Sequence, residues 1–157
     1  MLKIVEGILE GDRRSLSRAI SLIDNEEGEY QEIIRQIFKK TGKAMTIGFT
    51  GPGGSGKSSL ISKLVNEFKE FGYKIAIIAV DPTSPITGGA ILGDRIRMQG
   101  NIIDNSDLFM RSIASRGAIG GVSKSLRNII RILDAAGYNL IIVESVGAGQ
   151  LEIEVSK

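Results

Sequence analysis

Cysteine and histidine are both absent from this chain of 157 residues. The lack of cysteine excludes disulfide bonds and metal sites built from thiolates. The lack of histidine excludes an imidazole as a catalytic acid, a base or a metal ligand. Any catalysis or metal binding by this sequence must therefore use other side chains.

A large charge imbalance and long apolar runs are missing as well. Lysine and arginine number 20 and aspartate and glutamate 18, and the formal net charge of +2 gives no reason to expect nucleic-acid binding. The longest apolar runs are far shorter than the roughly 20 residues of a membrane-spanning helix, and the N-terminus lacks the layout of a signal peptide. Apolar residues make up 42% of the chain, which predicts a folded core. We therefore expect a cytoplasmic protein with no membrane and no nucleic acid as partner.

The clearest motif lies between Ala44 and Leu60, in the sequence AMTIGFTGPGGSGKSSL. Apolar residues alternate with small or polar ones as far as Phe49, which predicts a strand. The segment GPGGSGKS, from Gly51 to Ser58, matches every required position of the P-loop pattern G-x-x-x-x-G-K-[ST]. A helical pattern of apolar residues follows. This order of strand, loop and helix favours a phosphate-binding loop over a glycine-rich turn that binds nothing.

The residue types of this loop suit a triphosphate. Glycines let backbone N–H groups approach the phosphates, and the N-terminus of the next helix adds further unpaired N–H groups. Lys57 is predicted to reach the β- and γ-phosphates, and the Ser58 hydroxyl to ligate Mg²⁺. The predicted nucleotide-binding residues of the loop are Gly51, Gly53, Gly54, Ser55, Gly56, Lys57, Ser58 and Ser59.

Two carboxylates follow apolar runs that predict buried parallel strands. Asp81 comes directly after the first run, and it is expected to face the phosphates because the carboxyl ends of parallel strands meet on the P-loop side. Glu144 follows LIIV, which is the Walker B layout in which an acid positions Mg²⁺ or its waters. Gly147 lies three residues later, where its backbone N–H would approach the γ-phosphate.

The remaining patterns complete the predicted organisation. Three helices are expected before the P-loop strand, the second capped by Asp12 and the third spanning Glu26 to Lys40 with Phe38 buried. A further strand is expected at Leu108–Ile113, and a helix from Val122 to Ala136. Residues 1–42 are predicted to be a helical segment packed on a nucleotide-binding core of residues 43–157. A partner-binding helical arm is the alternative.

Two predicted loops are candidate functional segments. Pro82 to Gly89 is a candidate switch segment, although an ordinary connection explains it as well. Ser115 to Gly121 is a second glycine-rich stretch. It lacks the P-loop lysine, so a turn before the next helix is favoured over a second phosphate site.

Four segments resemble the MeaB/ArgK-type P-loop GTPases. They are GILEGDRRSLSRAISLID (7–24), VDPTSPITGGAILGDRIRM (80–98), SRGAIGG (115–121) and VESVGAGQ (143–150). This family includes the GTPase chaperones of adenosylcobalamin-dependent methylmalonyl-CoA mutase. The resemblance implies an α/β fold of the SIMIBI class of P-loop NTPases, with a mostly parallel sheet flanked by helices after an N-terminal helical segment.

The resemblance also implies roles for individual residues. The Mg²⁺ shell would comprise Ser58, Asp81, Asp94 and Glu144, directly or through water, and catalysis would depend on Lys57, Asp94 and Glu144. Residues 82–97 and 144–150 would be switch segments. The implied activity is Mg²⁺-dependent binding and hydrolysis of GTP, with GDP as product. The implied role is to regulate cofactor loading or protection of a B12-dependent mutase partner.

One departure from the resemblance concerns the base. No N/T-K-x-D motif, which reads guanine in such GTPases, occurs in this sequence. We therefore expect the C-terminal half of the usual GTPase domain to be missing, and weak discrimination between GTP and ATP. We also expect the P-loop strand to lie at an open sheet edge, so that the chain self-associates or needs the missing half. The alternative is that the residues after Gly149 cover this edge, since Leu151, Ile153 and Val155 alternate as in a strand.

Three other functions are compatible with a P-loop. The first is an ArgK-type ATPase or kinase acting on amino-acid transport proteins, and the second is a nucleotide-binding fragment without catalytic turnover. The third is a metal-insertion GTPase, which shares the glutamate in Walker B. The absence of cysteine and histidine disfavours it, because such proteins pass soft or borderline metals through those ligands.

Overall fold

The computed structural model describes residues 2–81, 107–114 and 121–145. The strands are β1 (Met45–Phe49), β2 (Ile75–Asp81), β3 (Leu108–Ala114) and β4 (Leu140–Ser145). The helices are α1 (Lys3–Leu9), α2 (Arg13–Asp24), α3 (Tyr30–Ile37), α4 (Lys57–Glu70) and α5 (Gly121–Ala135), and a 3₁₀ turn at Phe38–Lys40 follows α3. No helix in these described ranges is long and apolar enough to cross a membrane.

The four described strands form one parallel sheet in the order β1-β4-β2-β3. In the register, Ile142 of β4 lies between Ile47 of β1 and Ile77 of β2. Every residue of β4 is buried, because this strand is central and both of its faces are covered by helices. The sheet and its flanking helices confirm the predicted α/β fold, and all strand carboxyl ends lie at one edge.

Alternate residues of the central strands enter two separate cores. On one face, Ile75, Ile77 and Ile142 pack with Ile61 and Val65 of α4. On the other face, Ala76, Ile78, Ile141 and Val143 pack with apolar residues of α1, α2, α3 and α5. The helices before β1 therefore share a continuous core with α5 and the sheet.

Polar contacts also tie the N-terminal helices to β3. The Asp12 carboxylate caps α2 by accepting from the Ser15 hydroxyl at 2.7 Å and the Ser15 N–H at 2.8 Å, and these bonds lower the pKa of Asp12. The Arg13 guanidinium donates to the Leu108 carbonyl. Arg111 of β3 donates to the Ser21 hydroxyl at 2.6 Å. The second helix is thus bonded to the sheet at both of its ends.

The third helix differs from the prediction in its start and in one buried residue. Glu26 has φ 54° and Gly28 has φ 62°, a left-handed geometry that interrupts the helix, so α3 begins at Tyr30 instead of Glu26. Phe38, expected to be buried, is 58% exposed. The helix tightens to a 3₁₀ turn at Phe38–Lys40, so the α-helical spacing on which the prediction rested ends at Ile37.

The connection into β1 is held by one buried carboxylate. Asp134, near the end of α5, is 8% exposed. Its two oxygens accept backbone N–H groups from Gly42, Lys43 and Ala44, and the bond from Ala44 is 3.0 Å long. The start of the strand that carries the P-loop is therefore fixed to a helix about 90 residues later in the chain.

Among the described strands, β1 lies at one edge of the sheet and pairs only with β4. Met45 is 42% exposed and Thr46 is exposed. We predict that the unaltered chain self-associates through this edge, because unpaired strand groups are a template for another strand. Light scattering coupled to size exclusion measures this, and Thr46→Lys, which adds charge to the edge, should shift the chain toward monomer. A clean monomer of the unaltered chain at high micromolar concentration contradicts the prediction.

Candidate functional site

The P-loop spans the carboxyl edge of the sheet, between the end of β1 and the start of α4. Gly54 has φ 80° and Gly56 has φ 87°, left-handed conformations that glycine adopts without a steric cost. Gly56 is the N-cap of α4, and its carbonyl accepts from the N–H of Leu60 at 3.0 Å. The N–H groups before Leu60 have no partner within the helix, as at every helix start, so they remain available to an anion.

Lys57, the first residue of α4, folds its side chain over the loop. Its ammonium donates to the Gly51 carbonyl at 2.6 Å and to the Pro52 carbonyl at 2.9 Å, and it lies 3.5 Å from the Ser55 hydroxyl. A positive charge is therefore held directly against the loop backbone. This places a cation and the helix N-terminus together, which is the electrostatic arrangement that binds phosphate.

Ser58 and Glu144 meet at the same edge of the sheet. The Ser58 hydroxyl of α4 donates to Glu144 Oε1 of β4 at 3.2 Å, across 86 residues of sequence. Glu144 is 7% exposed and pairs in register with Phe49, the last residue of β1. A hydroxyl and a carboxylate side by side are oxygen ligands of the kind that Mg²⁺ takes in proteins.

The structure does not show the side chains of the other predicted metal-site residues at this edge of the sheet. The backbone of Asp81 ends β2, opposite Ala114, while its side chain lies outside the described part of the structure. Asp94, Gly147 and the two predicted switch segments lie outside it as well, apart from the strand residues Glu144 and Ser145. The described residues contain no group of three or more acids able to hold a metal ion. The four-residue Mg²⁺ shell therefore stays a prediction.

The sequence did not single out Asp134. Nothing in its local pattern distinguishes it from any other acid on an amphipathic helix, because its partners are backbone N–H groups far away in the chain. Its place beside the strand that leads into the P-loop is visible only in the folded structure.

Comparisons with known proteins identify a matching family and similar sequences. The profile of the family described as "Methylmalonyl Co-A mutase-associated GTPase MeaB" matches residues 16–157. A Pyrococcus abyssi protein provisionally named a GTPase is 48% identical over 155 residues, which are 99% of this chain and 48% of that protein. The GTPase ArgK of Escherichia coli is 36% identical, over 98% of this chain and 47% of that protein.

Two further similarities extend the comparison. A fused isobutyryl-CoA mutase of Geobacillus kaustophilus is 39% identical over 98% of this chain, a match that covers 15% of the longer protein. The crystal structure of a LAO/AO transport system kinase superposes with a TM-score of 0.73 at 28% identity, over 98% of this chain and 45% of that one. The chain spans about half the length of the first relatives it matches.

Proposed function

Because this chain belongs to the MeaB family of methylmalonyl-CoA mutase-associated GTPases, we propose that it binds GTP and hydrolyses it to GDP as a molecular switch. The observation that carries the proposal is that Ser58, next to the P-loop lysine Lys57, donates to Glu144 at the edge of the sheet where Lys57 bonds to the loop. Backbone N–H groups of the loop and the Lys57 ammonium would hold the β- and γ-phosphates. Calorimetric titration with GTP and GDP in Mg²⁺ tests this directly.

Mg²⁺ fits the donor set at this edge. The Ser58 hydroxyl and the Glu144 carboxylate supply oxygen, and Mg²⁺ commonly uses only one or two protein oxygens, with water and phosphate as its other ligands. We infer that these two residues hold the ion, with Asp81 and Asp94 contributing directly or through water. When bound, the ion would neutralise negative charge on the phosphates during hydrolysis.

Hydrolysis by this chain is expected to be slow, and Glu144 is expected to influence it. Glu144→Gln keeps the size of the buried side chain and an oxygen that accepts from Ser58, but it removes the negative charge. Single-turnover GTP hydrolysis should fall roughly 10- to 100-fold, as for other residues that support a metal. The Mg²⁺ concentration for half-maximal rate should rise, while GDP affinity without Mg²⁺ should not change. Equal rates and equal Mg²⁺ dependence in both proteins would remove Glu144 from the metal shell.

The choice of base is a separate prediction. The family indicates guanine, while the sequence has no N/T-K-x-D motif to accept the guanine edge. We expect GTP and ATP to compete for a fluorescent diphosphate with affinities that differ by less than roughly tenfold, since nothing in the sequence supplies the bidentate contact. A strong preference for GTP in this chain would mean that another segment reads the base.

The cellular role that we propose is regulation of an adenosylcobalamin-dependent methylmalonyl-CoA mutase, in cofactor loading or cofactor protection. The family description supports it, as does the Geobacillus kaustophilus relative that is named a fused isobutyryl-CoA mutase. The test is whether the mutase of the same organism co-elutes with this chain and changes its hydrolysis rate. Neither effect would be seen if the mutase is not the partner.

A kinase is a second candidate, because the superposed crystal structure is titled a LAO/AO transport system kinase. A kinase would transfer the γ-phosphoryl group to a protein instead of to water. Incubation with γ-labelled nucleotide distinguishes the two, since label appears in free phosphate for a GTPase and in protein for a kinase. A P-loop can support both reactions, so the two functions differ only in whether water or a protein accepts the γ-phosphoryl group.

A further inference from the structure

A groove lies between the N-terminal helices and α5, on the face of the sheet opposite α4. It has a volume of about 270 Å³, and its lining includes Tyr30 of α3, Glu26 of the preceding turn, and Ser125, Arg127, Asn128 and Arg131 of α5. Neither Lys57 nor Glu144 lines it. The groove is therefore a separate feature from the phosphate edge, and the nucleotide function leaves it unused.

Two arginines give the groove its charge. Arg127 is exposed, and Arg131 is half-buried with its guanidinium donating to Asn128 Oδ1 at 3.1 Å. Within the described ranges, neither arginine forms an ion pair, whereas Arg35 pairs with Glu32 at 2.7 Å. Glu26 is the one acid of the lining. The groove thus holds two cations against one anion, and it favours a negatively charged occupant.

An exposed aromatic ring extends this surface. Phe38 is 58% exposed, and the Arg131 guanidinium stacks 5.6 Å from the centre of its ring. The stacking and the bond to Asn128 hold Arg131 in place, which reduces the entropy lost when a carboxylate binds it. Aromatic residues and arginine are the types most enriched where proteins bind proteins.

We propose that this groove, with Phe38 at its rim, is a docking surface for an acidic segment of a partner protein. Planar guanidinium groups bind carboxylates through two parallel hydrogen bonds. The volume is below the roughly 300–1,000 Å³ typical of small-molecule sites and suits one or two inserted side chains. The partner is the adenosylcobalamin-dependent mutase, a step that rests on the proposed function and on the relative that joins a similar segment to a mutase.

The test is binding of the mutase from the same organism to this chain, measured by biolayer interferometry at low and high salt. Arg127→Glu should weaken binding roughly tenfold, because a favourable charge pair becomes a repulsive one. Phe38→Ala should weaken it by a similar factor through lost contact area. Lys63→Glu is the matched control: it makes the same charge change at an exposed helix position on α4, and it should leave the affinity within roughly twofold. The affinity for the mutase should also depend less on salt in Arg127→Glu, whereas Phe38→Ala and Lys63→Glu should keep the salt dependence of the unaltered chain.

Each outcome decides the assignment. Weaker binding in both groove variants, with GTP affinity and melting temperature unchanged, supports the docking surface. If both groove variants bind the mutase as tightly as the unaltered chain does, the groove is not the docking surface, although the mutase remains the partner. If the unaltered chain does not bind the mutase while it binds GTP, both the partner and this docking surface are wrong, and the nucleotide function stands. Millimolar inorganic phosphate that shifts the NMR amide signals of Asn128 and Arg131, with no shift by the mutase, would make the groove a small-anion site.

Discussion

Replacing Lys57 by alanine is expected to remove most of the affinity for nucleoside triphosphate. The ammonium is the cation placed against the loop, where it donates to the carbonyls of Gly51 and Pro52. A hydrogen bond to a charged group contributes about 1.5–3 kcal/mol. Losing this contact should therefore raise the dissociation constant roughly 10- to 150-fold. Calorimetry with GTP and GDP measures this change.

The chain offers a matched control for that experiment. Lys63 lies on the same helix, is exposed and lines no part of the loop, so Lys63→Ala should bind nucleotide as the unaltered chain does. The triphosphate should lose more affinity than the diphosphate, because the lysine is assigned to the β- and γ-phosphates. Unchanged affinity in Lys57→Ala would mean that the loop does not hold phosphate in the proposed way.

Asp134→Ala is expected to have the largest effect on stability. The change leaves the N–H groups of Gly42, Lys43 and Ala44 without their carboxylate acceptor. Because Gly42 and Lys43 are exposed, water replaces part of what is lost. We expect the free energy of unfolding to fall by about 2–3 kcal/mol, which lowers the melting temperature by roughly 5–10 °C for a chain of this size. Thermal and urea unfolding followed by circular dichroism measure both quantities.

Two further variants separate the role of the carboxylate from a general effect of mutation. Asp134→Asn keeps one acceptor oxygen without the charge, so its loss of stability should lie between those of the unaltered chain and Asp134→Ala. Glu67→Ala, an acid removed from an exposed position of α4, should change the free energy of unfolding by less than about 0.5 kcal/mol. If Asp134→Ala unfolds as Glu67→Ala does, the connection into β1 is held by other contacts.

The fold class could be predicted because its evidence is local in the sequence. The run LIIV of β4 is continuous and apolar, and such a run is what a central parallel strand requires. The P-loop needs its glycines and lysine at fixed spacing within one short segment, so that spacing is visible without any structure. The same holds for Asp12, whose capping contact is with Ser15, three residues away.

The predictions that were wrong fall where competing local geometries are close in energy. The segment from Glu26 to Lys40 has a helical composition, yet Glu26 and Gly28 adopt left-handed conformations and the last turn tightens to a 3₁₀ turn. These choices depend on how α2 and α3 pack against α5, and packing can override propensity. Phe38 lies in that 3₁₀ turn and is exposed, and no periodicity of the sequence indicates it.

The sequence by itself determined the loop with the P-loop pattern, the apolar strands and the acid near the end of β4, since each of these is set by neighbours within a few residues. Only the tertiary structure decided that the Ser58 hydroxyl donates directly to Glu144, that Asp134 holds the start of β1, and that Arg131 stacks on Phe38. These contacts join elements far apart in the chain. Their geometry depends on the order of the strands in the sheet and on how the helices pack on its two faces. No local sequence pattern encodes the strand order or the packing.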